Sequence, residues 1–157
     1  MGMHINTRAR KKITFIRDKK YTILPALLLD GFLAVEIMEG NCDKERFCEF
    51  ILLQVILVMN PFSEKNSVIV LDNAKIHQNE TFVNIVEELG CHVIFLLPYS
   101  PDYNPIETAF SNIKSWIKRN RDFMNAANDP FYAFIVACAQ ITSEMVVNFF
   151  HESDYLE

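Results

Sequence analysis

The sequence predicts an α/β domain in which an antiparallel hairpin and a pair of parallel strands share one mixed sheet flanked by helices. Three observations carry this. Apolar runs of strand length alternate with helical patterns along the 157 residues. Asp30-Gly31 sits between two of those runs as a hairpin turn. Further on, VIVL, a helical stretch and HVIFLL succeed one another as strand, crossover helix and strand. Half of the residues are hydrophobic, and the length suits one core, so a single domain is expected.

Residues 13–16 (ITFI) and 21–29 (YTILPALLL) read as strands, and the run 32–38 (FLAVEIM) returns antiparallel after the turn. Asp43 is placed to cap a helix that reaches about Met59, where Asn60-Pro61 ends it; apolar residues run nearly all round this helix, which predicts deep burial. Residues 67–71 (SVIVL) form a central strand. Residues 80–89 carry Phe82, Val83, Val86 and Leu89 on one helical face and stop at Gly90. The next strand, 92–97, is closed by Pro98. A right-handed crossover makes the two strands parallel, so their carboxyl ends share the sheet edge at which ligands bind in open α/β sheets. Asn104 and Pro105 lead into a helix with Ile106, Phe110, Ile113 and Ile117 at helical spacing. Beyond Arg121 charges thin out, and 130–140 and 143–151 read as closing helices. The division is a core over 1–121 and a C-terminal helical extension of the same domain over 122–157.

Composition narrows the class. The longest apolar block, FILLQVILVM, has ten residues against the roughly 20 of a membrane span, so no membrane partner is expected. Cys42, Cys48, Cys91 and Cys138 fit neither a zinc site nor a CxxC pair and read as reduced, buried thiols. The four glycines make no phosphate-cradling GxGxxG loop. Net charge is -5, yet Arg8, Arg10, Lys11, Lys12, Arg17, Lys19 and Lys20 against Asp18 give a local +6 and leave -11 for the rest. That asymmetry is read in two ways, as a contact for a polyanion such as nucleic acid or as a solvated, partly disordered start to the chain.

Asp72 ends the run VIVLD, at the carboxyl edge of a buried strand. Glu107 lies in the first turn of the helix that leaves the second parallel strand's loop, at the same edge. Asn104 as cap, Pro105 at the first helical position and Glu107 at the third also make a capping arrangement that needs no chemistry. Lys114 and Lys118 lie close to the Glu107 meridian, seven and eleven residues on. Carboxylates backed by cations suit a phosphodiester. Asn73 is placed to orient its neighbour or a phosphate. His77 suits a local hydrogen bond at a helix start, with contact to DNA or a metal-bound water as the alternative. Trp116 reads as core. Tyr99, Ser100, Asp102 and Tyr103 occupy the loop at the same edge.

VIVLDNAKIH, followed after 34 intervening residues by the glutamate of LPYSPDYNPIE, resembles the second and third acids of the DDE transposases of the mariner and related insertion-sequence superfamily. YTILPALLLDG is similar to the strand and turn before them, and AFSNIKSWIKRN to the helix carrying the final glutamate. The resemblance implies a ribonuclease H-like fold and metal-dependent cutting and joining of DNA. It makes Asp72 and Glu107 catalytic metal ligands for Mg2+ or Mn2+, because hard cations take carboxylate oxygens.

The family's first acid comes from an opening strand. Residues 1–17 contain no aspartate or glutamate, so that strand is expected to be absent. Asp30 lies at the other end of the sheet, about 25 Å away by strand rise, and Asp18 sits in a basic turn. Two acids then hold one ion weakly if at all. The expectation is a truncated, catalytically impaired relic that retains DNA binding, to transposon ends or without specificity, through Arg10, Lys11, Lys12, Lys19, Lys20, Lys114 and Lys118. A homodimer is the expected assembly, and the location nuclear in a eukaryote and cytoplasmic otherwise. Three other readings are a transposase or endonuclease core whose first acid another chain or an upstream segment provides, an unrelated α/β domain with Asp72 as phosphoacceptor, and a non-catalytic interaction module. The phosphoacceptor wants further acids on the first strand, which residues 1–17 do not supply.

Overall fold

The computed structural model describes residues 4–7, 12–16, 19–74 and 79–157, the first two segments as backbone. Strands β3 (Lys19–Leu28) and β4 (Gly31–Glu39) form the expected hairpin, antiparallel from Tyr21↔Glu39 to Leu28↔Gly31. Gly31 has φ +131°, a conformation that side-chain-bearing residues rarely adopt, which is the physical reason that glycine follows Asp30. Strand β2 (Lys12–Ile16) pairs antiparallel with the first part of β3. Strand β5 (Val68–Leu71) and β6 (His92–Phe95) pair in parallel, from Val68↔His92 to Leu71↔Phe95.

One expectation needs correction. The slot between the hairpin and the parallel pair is not vacant: β1 (His4–Thr7) fills it, antiparallel to β3 through Thr7↔Ala26 and parallel to β5 through Thr7↔Leu71. A strand there completes the backbone hydrogen bonding of two neighbours at once, and four residues reading HINT carry too little pattern to announce it. Among the described residues the result is one six-stranded mixed sheet.

Helices cover both faces. On one side lie α3 (Pro105–Arg119), α4 (Arg121–Ala126), α5 (Pro130–Cys138) and α6 (Ser143–Glu152). There Ile106, Phe110 and Ile113 of α3 share a core with Tyr21, Ile23 and Leu27 of β3. On the other side α1 (Lys44–Phe50) and α2 (Glu80–Glu88) bury Phe47, Phe50, Phe82 and Val86 against Leu24, Ala26, Ile69 and Leu71. Period-two alternation along β3 sends its side chains to the two cores in turn. The closing helices α5 and α6 fall where expected; α4, a six-residue helix that buries Met124, was not legible. Trp116 packs against the first core with its ring edge-to-face on Phe123, 5.9 Å between centroids.

Asp43 caps α1 as expected, its Oδ1 accepting from the Arg46 N–H at 2.9 Å. The helical path continues as one π turn (Ile51–Val55) and a 3-10 turn (Ile56–Val58). Its predicted deep burial is corrected: Leu53 is 67% and Leu57 77% exposed. A single layer of helix on a sheet buries one side, here Phe47, Phe50, Ile51 and Val55. Gly90 ends α2 with φ +80°, and a Cβ there would lie 3.3 Å from Pro61 Cβ. None of the four cysteines is in a disulfide, three of them are buried, and burial pushes the Cys138 thiol up to about 12. Among the described residues no single helix is long and apolar enough to cross a membrane.

The two sides of these helices differ in energetic weight. Phe110→Ala, which empties a fully buried position, is expected to cost about 3–5 kcal/mol in urea denaturation. Leu57→Ser, at the exposed side of the α1 path, is expected to stay within about 0.5 kcal/mol of the parent.

Candidate active site

Ile69 and Leu71 pack against α1 and α2, so alternation sends Val68, Val70 and then Asp72 toward the face that carries α3. Asp72 is half-buried and is the first residue past β5. Its Oδ1 accepts from the Ala74 N–H at 3.1 Å, which fixes the carboxylate against its own backbone. The ladder to the neighbouring strand runs one bond further, from the Leu96 N–H to the Leu71 carbonyl at 2.7 Å, before the chains part. A short 3-10 turn (Pro101–Tyr103) then leads into α3.

At the start of α3 the Glu107 N–H donates to the Asn104 carbonyl at 3.0 Å, and Pro105 takes the first turn, as expected. The side-chain cap expected of Asn104 is absent. Asn104 is instead buried, 2% exposed, with its Oδ1 lacking any hydrogen-bond partner. Leaving such an oxygen unpaired costs about 1–3 kcal/mol.

Asp72, Asn73 and Ala74 from the strand exit, the loop 97–101, and Asn104 and Glu107 from the helix start line one cavity of about 390 Å³. The structure therefore brings together Asp72, Asn73, Asn104 and Glu107. It leaves the cations outside that wall. Lys114 is half-buried and Lys118 exposed further along α3, two and three turns from Glu107, or about 10 and 16 Å of helix rise. Lys19 and Lys20 are exposed at the start of β3. Lys19 Nζ lies 3.3 Å from the Glu39 carboxylate, and Lys19 lines a separate cleft with Tyr21, Asn125 and Asn128. Lys12 is described as backbone only, and Arg10, Lys11, Asp18 and His77 lie outside the described residues.

Asp30 stands at the opposite end, its carboxylate 3.5 Å from Lys65 Nζ. Leu71 is level with Ala26 through Thr7, so along the strand direction Asp72 and Asp30 are separated by five steps, or about 16 Å. That is shorter than the 25 Å or so expected from strand rise, because β5 meets the middle of the hairpin rather than its far end. It is still beyond a shared ion. Among the described residues no group of three His, Cys, Asp or Glu side chains could hold a metal ion.

The cavity wall also includes Tyr99, fully exposed at φ +60°, which the sequence placed at this edge without revealing its left-handed backbone. The unpaired Asn104 oxygen had no signal at all, since an asparagine before Pro105 reads as an ordinary cap.

A mixed sheet with a hairpin on one side, parallel strands on the other, helices on both faces and acids at the carboxyl edge defines a ribonuclease H-like domain. Within that class the chain belongs to the DDE superfamily endonuclease family, whose model matches residues 3–128. The catalytic domain of the Mos1 mariner transposase is similar in structure, with a TM-score of 0.70 at 15% identity over 96% of this chain and 76% of that one. The transposase of a pre-cleavage Mos1 transpososome has a TM-score of 0.70 at 12% identity, over 96% of this chain and 52% of that one. The catalytic core domain of BIV integrase has a TM-score of 0.57 at 13% identity, over 98% of both chains. At these identities the likeness is one of fold. The chain spans about half the length of the transposase in the transpososome. Structures of the Mos1 catalytic domain with raltegravir contain Mg in one case and Mn in another. No curated protein matches the chain.

The exposed Tyr99 side chain contributes no packing while its backbone sits in a region that costs a non-glycine residue about 1 kcal/mol. Tyr99→Gly is therefore expected to leave stability unchanged or raise it by up to about 1 kcal/mol in thermal denaturation. A loss of stability would show that the loop depends on the tyrosine ring.

Proposed function

We propose that this chain is a DNA-binding domain of endonuclease type that holds one divalent cation, magnesium or manganese, between Asp72 and Glu107, weakly and with correspondingly low strand cleavage. The observation that carries the reading is that two carboxylates 34 intervening residues apart in sequence line one cavity at the carboxyl edge of the sheet. Family membership supports it. So do the Mg and Mn found with the Mos1 catalytic domain, and that transposase's occurrence in a transpososome and a strand transfer complex.

The residues present fit such an ion. Mg2+ and Mn2+ take oxygen ligands, and the cavity offers two carboxylates beside a buried amide oxygen with no other partner. When bound, the cation supplies Lewis-acid polarisation of a phosphodiester oxygen and a more acidic water. The chain's own residues supply the framework. Asp72 is oriented by the Ala74 N–H. Glu107 is held in the first turn of a 15-residue helix whose positive end favours the approach of a phosphate. Two carboxylates balance a single dication and leave nothing for a second, so affinity is low and the paired-ion route to rapid cleavage is not available to these residues alone. Arg10, Lys11, Lys12, Lys19, Lys20, Lys114 and Lys118 take the DNA backbone by charge, without reading base sequence. A homodimer is the expected assembly.

Incubation with supercoiled DNA tests this. Binding is expected to weaken steeply as salt rises, and replacing Lys118 or Lys20 by alanine should reduce the log–log salt slope by about one each. Nicking in Mn2+ is expected to be slow and to vanish in Asp72→Ala and Glu107→Ala, both of which keep DNA binding. Nicking that survives in either variant, or no DNA binding by the parent protein, would overturn the proposal.

A further inference from the structure

Three buried side-chain oxygens among the described residues have no hydrogen-bond partner: Asn66 Oδ1, Ser67 Oγ and Asn104 Oδ1. The first two lie just before β5, at the end of the strand remote from Asp72. Asn104 alone lines the cavity shared by Asp72 and Glu107. Its position makes the missing partner conspicuous. A residue preceding a 15-residue helix has exposed backbone N–H groups within reach, and asparagine is among the best side chains for taking them. Here the helix start is left without a side-chain cap, and the carboxamide is buried beside two acids instead.

The chemistry of the neighbours decides what the oxygen is for. Ionised carboxylates accept hydrogen bonds and donate none, so they offer an amide oxygen nothing. A cation, or the water around one, answers to all three oxygens at once. Amide carbonyls are ordinary ligands of hard cations. The side-chain oxygen is held by no hydrogen bond, and the terminal torsion of asparagine is broad and soft. The oxygen can therefore turn to an arriving ion without giving up an existing bond.

We propose that Asn104 supplies the third oxygen of the cation site, a neutral ligand that joins Asp72 and Glu107. This rests on the reading of those two residues as cation ligands. The central strand β1 lies beside β5 with the sequence HINT and brings no carboxylate. The third oxygen then comes from the helix start rather than from the sheet, three residues before Glu107 and one helical turn from it. A site with two charges and a neutral amide binds less tightly than one with three carboxylates, which fits the low affinity proposed above.

Binding of Mn2+ to the whole chain, followed by loss of the free-ion electron paramagnetic resonance signal and by the shift in melting temperature, tests the assignment without any cleavage assay. Asn104→Leu keeps the branched shape and removes the oxygen. It is expected to melt at or above the parent temperature without metal and to bind Mn2+ at least about tenfold more weakly. Asn104→Asp adds a charge at the same place and is expected to bind Mn2+ more tightly than the parent. A merely structural asparagine would give the opposite pattern, with Asn104→Leu unstable and Mn2+ affinity in Asn104→Asp no higher than in the parent. Should Asn104→Leu fail to fold, Asn104→Asp decides alone: tighter binding upholds the assignment, and unchanged or weaker binding overturns it. Loss of Mn2+ binding in Asp72→Asn with full binding in Asn104→Leu overturns the role of Asn104 and leaves the two-carboxylate reading standing. Absence of Mn2+ binding in the parent protein overturns both.

Discussion

The parallel pairing of β5 with β6, in register from Val68↔His92 to Leu71↔Phe95, is the constraint on which the site depends. Parallel neighbours must be joined by a crossover, here α2, so both strands leave the sheet at the same edge. One exit delivers Asp72 and the other delivers the loop that feeds α3 and Glu107. Had the two strands paired antiparallel, the acids would stand at opposite ends of the sheet, as Asp72 and Asp30 do. The register adds the fine placement: with Leu71 opposite Phe95, the chain needs only a short loop and one 3-10 turn to bring the helix start back over the strand exit.

Two separate cores hold that pairing in place. β3 contributes to both by alternation, Ile23 and Leu27 to the α3 side and Leu24 and Ala26 to the α1 and α2 side. The α3 core anchors the helix through Ile106, Phe110, Ile113 and Ile117, all buried on one stripe. That stripe sets the rotation of the helix about its axis, and so decides that Glu107, between the apolar positions 106 and 109–110, reaches the cavity. A helix free to roll would have no fixed site. Apolar packing on one side thus fixes the geometry of polar chemistry on the other.

The acids and the amide are held by different means. Asp72 is tied to its own backbone through the Ala74 N–H, a local bond that needs nothing from the rest of the fold. The Asn104 backbone is bonded on both sides, to the Pro101 carbonyl and the Glu107 N–H, while its side-chain oxygen is buried without a bond. The cost of that unpaired oxygen is sustained by the surrounding packing. Such tolerated costs concentrate where a ligand is meant to repay them. The left-handed backbone of Tyr99 on the same cavity wall is of one kind with it.

Much of this was legible in the residues. The hairpin, β5, α2, β6, α3 and the two closing helices follow from apolar period, from Asp30-Gly31, and from the breaks at Asn60-Pro61 and Gly90. The acids Asp72 and Glu107 follow from their places at the ends of those elements. What escaped were features of weak or misleading local pattern: HINT is too short to declare a central strand, RDFMNA too short to declare α4, and FILLQVILVM too uniformly apolar to reveal that Leu53 and Leu57 face solvent. Local sequence determined which segments become strands and helices and which residues stand at their ends, because period and turn chemistry act over a few residues. Tertiary structure alone decided that β1 fills the centre of the sheet, that Asp72 and Glu107 share a cavity, and that Asn104 forgoes its cap beside them. Each of those outcomes depends on contacts between segments far apart in the chain, and no stretch of sequence taken by itself contains them.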